Sequence, residues 1–243
     1  MIPPMAAGSR ARILAPPPLP RPSTRVGAGV RRGPAPLALA VYGSLSMLTL
    51  GIAIARGRSP IAPLFGDTGG WLALPPAFAH LTSLAGGVLL AVVTVGATRV
   101  FVRRWGWARM LHAEMRPAVR DASDGTILVL GISSGIAEEL FFRGLLAPLL
   151  GLVLSSVAFG ALHRLRGRVG WIWASWATVM GLLFGALFLA TGSLLGPILA
   201  HAAINVVNLR FLRDTDLEAA KPRRLGGLLA ERPTAPGSSG IRG

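Results

Sequence analysis

The sequence predicts an all-α, polytopic membrane bundle of about six transmembrane helices, with both termini in the cytoplasm. Three observations carry that expectation. Apolar residues make up 52% of the chain and charged residues only 14%, whereas soluble domains carry nearer a quarter charged. The apolar residues gather into runs of roughly 20, the length that crosses about 30 Å of hydrocarbon. Lys and Arg alternate between connections: 6 in 1–35, 6 in 99–125, 3 in 164–169 and 7 from Arg210 onward, against 2 in 56–70 and none in the turns after the third and fifth runs. Cytoplasmic loops collect positive charge, so this alternation suits six spans with both ends inside.

The first span is the run PLALAVYGSLSMLTLGIAIA, residues 36–55. The second covers about 71–98, its start blurred by the two prolines at 75–76, since proline suits a helix start and breaks a helix interior. The basic, aromatic segment 99–125 fits either an amphipathic interfacial helix or a solvated loop with aromatic anchors. The third span, about 126–147, is followed by a short fourth, about 149–164. The fifth covers about 170–192 and the sixth about 193–212. These divide the chain into a Pro- and Arg-rich tail (1–35, disordered by composition), two N-terminal spans with the basic segment (36–125), a four-helix core (126–212) and a mobile basic tail (213–243). The tail at 1–35 does not read as a signal peptide, because the first long apolar run begins near Leu37 and continues as a full span.

The formal charge of +15 does not point to nucleic acid. The arginines flank apolar runs and form no stripe on a polar domain. Cysteine is absent, which excludes disulfides, thiolate metal sites and a cysteine nucleophile. No HExxH pair occurs, so the zinc-protease helix built on that motif is excluded as well.

Chemistry concentrates in the third span. From Thr126 to Val157 the charged residues are Glu138, Glu139 and Arg143, within GIAEELFFRG. An ionised side chain at a helix centre costs roughly 2.5–3.5 kcal/mol on insertion scales, so such residues are rare and usually functional. Glu139 and Arg143 stand four apart, on one helical face, and can pair. Glu138 is rotated by about 100° from Glu139 and is the carboxylate left for chemistry. A buried polar clamp between helices would need no such spare carboxylate.

His163 ends the fourth span, in SSVAFGALHR, and His201 lies in the sixth, in ILAHAAINVV, with Asn205 on the same face. A lone intramembrane histidine is often only an interhelical hydrogen-bonding residue. A carboxylate, two imidazoles and an amide from three spans form a different kind of set. A glutamate and a neutral histidine can hold and deprotonate water, and a second histidine and an amide can donate to an oxyanion. His80 is expected to be a hydrogen-bonded residue of span two and His112 an exposed loop residue. Gly135, Gly144 and Gly160 would permit close helix approach.

EELFFRG fits EExxxR, FGALH at 159–163 fits FxxxH and HAAIN at 201–205 fits HxxxN. In order, spacing and placement on successive apolar spans, these motifs resemble the CPBP family of intramembrane proteases, also called Abi or CAAX-protease-like. The likeness covers about 126–212. It implies that Glu138 and His163 activate water, that His201 and Asn205 stabilise the oxyanion, and that Glu139 and Arg143 support the site. It also implies either a divalent metal such as zinc, held by Glu138, His163 and His201, or a metal-free glutamate mechanism.

The expected function is therefore an intramembrane endopeptidase in the bacterial inner membrane. Its candidate substrates are prenylated CAAX-type tails, leader peptides or C-terminal anchoring signals, and its partners are that substrate and the bilayer. The alternatives are a non-proteolytic binding or immunity protein on the same fold, or a proton-coupled transporter, since buried Glu and His also build relays. The sequence leaves substrate and oligomeric state open.

Overall fold

Each apolar run does form a helix in the computed structural model, which describes residues 35–65 and 70–217. Of the two tails expected to be disordered or mobile, 1–34 and 218–243 lie outside the described residues. The helices are α1 (Ala35–Ala55), α2 (Pro76–Arg104), α3 (Gly106–Met115), α4 (Asp124–Glu139), α5 (Ala147–Leu162), α6 (Gly167–Thr191) and α7 (Leu195–Asp214), and a wider π-helical segment, Leu140–Leu146, joins α4 to α5. No strand occurs among the described residues.

Local chemistry explains several boundaries. α2 starts with Pro76 in its first turn and ends on Arg103 and Arg104, which suits a rigid first turn and a negative C-terminal dipole. Ser123 caps α4, its hydroxyl accepting from the Thr126 N–H at 3.1 Å, which satisfies a donor the helix itself cannot. α6 stops at Gly192, whose φ of 70° is left-handed, a conformation glycine adopts without steric cost.

Among the described residues, five helical runs are long and apolar enough to cross a membrane, and the expected third and fourth spans share one of them, Asp124–Leu162. That run is a hairpin. Gly151 has φ 81° and ψ 169°, and the rings of Phe142 and Phe159 stand 5.0 Å apart, where a straight helix would separate them by about 25 Å. The limb after Gly151 is too short to cross a bilayer alone, so the expected six spans become five long runs, one folded back on itself.

The 99–125 segment follows the helical reading. α2 continues through Arg104, and α3 lies beyond it with Ala108 and His112 buried. The expectation of an exposed His112 is corrected: its Nε2 lies 2.9 Å from the Thr215 carbonyl and its ring meets Phe211 edge-on at 5.3 Å. The segment folds into a helix packed on α2 and α6, from which the histidine ring reaches the end of α7 and leaves solvent. His80 is hydrogen-bonded in α2 as expected, with Nδ1 2.8 Å from Ser193 Oγ.

α7 packs between α2 and α4, α5 pairs with α6, and α1 lies on α4. Small residues set these approaches, as they do where no hydrophobic effect drives helices together. A Cβ on Gly135 would stand 2.7 Å from the Ala202 backbone nitrogen, so only glycine lets α4 come this close to α7. The pair of acidic residues that follows Gly135 is thereby set beside His201.

Candidate active site

Glu138 and Glu139 end α4, and the π-helical segment begins immediately after them. Such widened turns recur at functional sites, because they re-aim side chains that a regular helix would hold in register. His163 follows the last residue of α5, His201 sits in the second turn of α7 and Asn205 one turn later.

The two adjacent carboxylates have separate environments. Glu139 is fully buried, and its Oε1 accepts from Arg143 Nη1 at 2.9 Å and from His201 Nδ1 at 2.7 Å. The Arg143 guanidinium also lies 4.4 Å from the centre of the Phe159 ring, a contact that compensates a buried cation. Glu138 faces the other way. Its Oε2 is 3.6 Å from His163 Nε2 and 3.7 Å from His201 Nε2, and it is buried with no hydrogen-bond partner. A buried orphan oxygen is costly unless something fills its place.

The partners of the two imidazoles decide their tautomers. His163 Nδ1 is 2.8 Å from the Phe159 carbonyl, and His201 Nδ1 meets the Glu139 carboxylate. Both acceptors lack a proton to give, so each Nδ1 carries a hydrogen and each ring turns its Nε2 toward Glu138. His201 is further fixed by Phe184, whose ring stacks on it at 5.0 Å. Asn205 Nδ2 donates to Ser134 Oγ at 2.9 Å, and Ser134 passes a hydrogen bond to the Gly131 carbonyl at 3.1 Å. That chain holds the amide and uses one of its two N–H groups.

Glu138, His163, His201 and Asn205 line one cavity of about 370 Å³. The rest of its wall is largely apolar and aromatic, with Phe101, Trp107, Trp173 and Trp176 among the lining residues and His112 at the α3 side. Three of the four residues expected to do chemistry converge directly, the fourth shares their chamber, and Glu139 and Arg143 stand behind them as a buried pair. The structure adds residues that the motifs did not single out. Ser134 stands one turn before Glu138 on the same helical face, a spacing visible in the sequence. Tyr42, on α1, hydrogen-bonds to the Glu138 carboxylate, and no spacing rule links it to the motifs.

One carboxylate and two imidazoles are donors that zinc accepts. Among the described residues, however, no three His, Asp or Glu side chains converge in a metal-holding arrangement.

Comparison with known proteins places the family resemblance on this same stretch. Residues 125–207 match the family described as type II CAAX prenyl endopeptidase Rce1-like. The chain is also 36% identical over 81 residues to a Bacillus subtilis (strain 168) protein described as "Uncharacterized protein YpbD", a match covering 33% of this chain and 42% of that relative. No solved structure matches. The helices and the family match together make this a multi-pass membrane protein.

Proposed function

From the match of residues 125–207 to the Rce1-like family, we propose that the chain is an intramembrane endopeptidase that hydrolyses a peptide bond with a water activated at Glu138. The observation that carries the reading is the placement of Glu138 Oε2 between two imidazole Nε2 atoms, 3.6 and 3.7 Å away, in an apolar chamber. A water there gives one hydrogen to Glu138 Oε2 and the other to the His163 lone pair, which aims its own lone pair at a scissile carbonyl. As the O–C bond forms, Glu138 takes the proton and the carbonyl π electrons move to oxygen.

The oxyanion is met by the second N–H of Asn205 and by His201. His201 donates from Nε2 only as an imidazolium, so it takes a proton from solvent before the substrate binds and keeps it through the turnover, and Glu139 beside Nδ1 stabilises that charge. Collapse of the intermediate breaks the C–N bond, and the proton held by Glu138 goes to the leaving amine. Atoms and charge balance without a further reactant. The substrates this reading admits are CAAX-type prenylated tails, leader peptides and C-terminal anchor signals. The low charge of the cavity wall suits apolar segments, and the bacterial inner membrane is the proposed location.

Cleavage is tested with the purified full chain on one quenched-fluorescent peptide of each class, including a farnesylated CAAX-type terminus. Glu138→Gln keeps size and hydrogen bonding and removes the base, so it should lower the rate at least 1,000-fold, the combined scale of base catalysis and positioning, while the protein stays inserted. Full activity in that variant would falsify the mechanism. Treatment with a chelator should leave the wild-type rate unchanged; loss that zinc restores would put the metal scheme in its place.

A further inference from the structure

α1 presents a puzzle. It lies before the matched segment, is mostly exposed along its length, and its residues up to Ala55 include no charged side chain. Yet it carries the one tyrosine of the chain, which reaches the cavity and bonds to the carboxylate assigned as the base. Tyr42 begins the third turn of α1, about 10 Å along the axis from Ala35.

Resting on the proposed role of Glu138, we infer that Tyr42 is a positioning residue for hydrolysis, its hydroxyl holding the Glu138 carboxylate so that Oε2 stays aimed at His163 and His201. Glu139 is fixed by an arginine and a histidine, each imidazole is fixed through Nδ1, and Asn205 is fixed through Ser134. Oε2 of Glu138 has no hydrogen-bond partner, so without a second anchor this carboxylate would be the loosest member of the set. A phenol O–H donates to one carboxylate oxygen and leaves the other to accept a proton. Phenol and carboxylate thereby form one charge-assisted bond, the kind strong enough to select a rotamer. α1 thus acts as more than a lipid-facing support, since it supplies the last fixed point of the site from outside the matched stretch.

Two readouts test this on the full chain. Tyr42→Phe removes only the hydroxyl, and kcat on the farnesylated CAAX-type peptide should fall about tenfold, the scale of one such bond, with KM within about twofold. An unchanged kcat, or a raised KM with kcat intact, overturns the inference. If Glu138→Gln also retains activity, the reading of Glu138 falls with it; if Glu138→Gln is dead and Tyr42→Phe is fully active, only the role of Tyr42 falls. The second readout needs no substrate. Because the chain has one tyrosine, growth on meta-fluorotyrosine labels Tyr42 alone, provided the expression tag lacks tyrosine. Its fluorine NMR resonance should move on Glu138→Gln and stay put on Glu114→Gln. A resonance indifferent to Glu138→Gln overturns the contact on which the inference stands.

Discussion

At the scale of single residues, Glu139 illustrates how a charge is tolerated where hydrocarbon ought to be. One of its oxygens serves both Arg143 and His201, at 2.9 and 2.7 Å, and all three side chains are at most 7% exposed. Removing one member of a buried ion pair is more damaging than replacing the whole pair, because the remaining charge stays desolvated. Glu139→Gln should therefore cost about 3–5 kcal/mol of stability, read as a lower melting midpoint in detergent. It should also lower cleavage, since His201 loses the acceptor that fixes its ring. Unchanged melting would show that Arg143 finds another partner. The i,i+4 pairing of Glu139 with Arg143, and the separate direction of Glu138, are both legible from helical spacing. The second bond of Glu139 is not, because nothing in a sequence says which of two histidines on distant helices will reach a given carboxylate. Tyr42 was hidden for the same reason: α1 reads as an ordinary apolar span, and only its packing on α4 brings the phenol to Glu138.

Among the elements, the hairpin between α4 and α6 was the hardest to read. Hydropathy marks 126–147 and 149–164 as two apolar stretches but does not say how the chain reverses between them. The answer is Gly151, whose φ and ψ of 81° and 169° lie in a region essentially reserved for glycine. The turn brings Phe159 and His163 back beside Phe142 and Arg143. Two glycines of this region separate two kinds of cost. A Cβ on Gly151 would meet nothing within 4 Å, so Gly151→Ala carries backbone strain alone, about 1–3 kcal/mol. Gly135→Ala places a methyl 2.7 Å from the backbone of Ala202, and the helices must part. Parting them moves Glu138 away from His201. Gly151→Ala should thus lower the melting midpoint while the folded fraction keeps its kcat, whereas Gly135→Ala should lower kcat even where folding is retained. Equal effects of the two on kcat per folded molecule would contradict this division. The wide π-helical segment after Glu139 is likewise invisible to periodicity, since a widened turn shifts the pattern by a single residue.

For the whole molecule, the question is which side of the membrane reaches the site. A knot of polar contacts ties the basic ends of the bundle together: Arg213 with Asp124 at 2.8 Å, Arg116 with Asp216 at 3.1 Å, and His112 with the Thr215 carbonyl at 2.9 Å. These join the end of α3, the start of α4 and the end of α7. His163 closes α5 just before the basic turn of Arg164, Arg166 and Arg168. It is also the more open of the two site histidines, its side chain 25% exposed against 7% for His201. Positive charge favours the cytoplasmic side, so the cavity is proposed to be reached from the cytoplasm. The absence of cysteine makes the test clean, since any introduced thiol is unique. Arg166→Cys should react with an impermeant maleimide in inside-out vesicles and resist it in intact cells with the outer barrier opened. Ser59→Cys, beyond the other end of α1, should do the reverse. If both thiols react from one side, the span count between them is wrong. If each reacts from the unexpected side, the bundle is inverted, and substrates must then approach Glu138 from outside the cytoplasm. That outcome would leave the chemistry of the site untouched and remove cytoplasmic CAAX-type tails as substrates, favouring leader peptides or anchor signals.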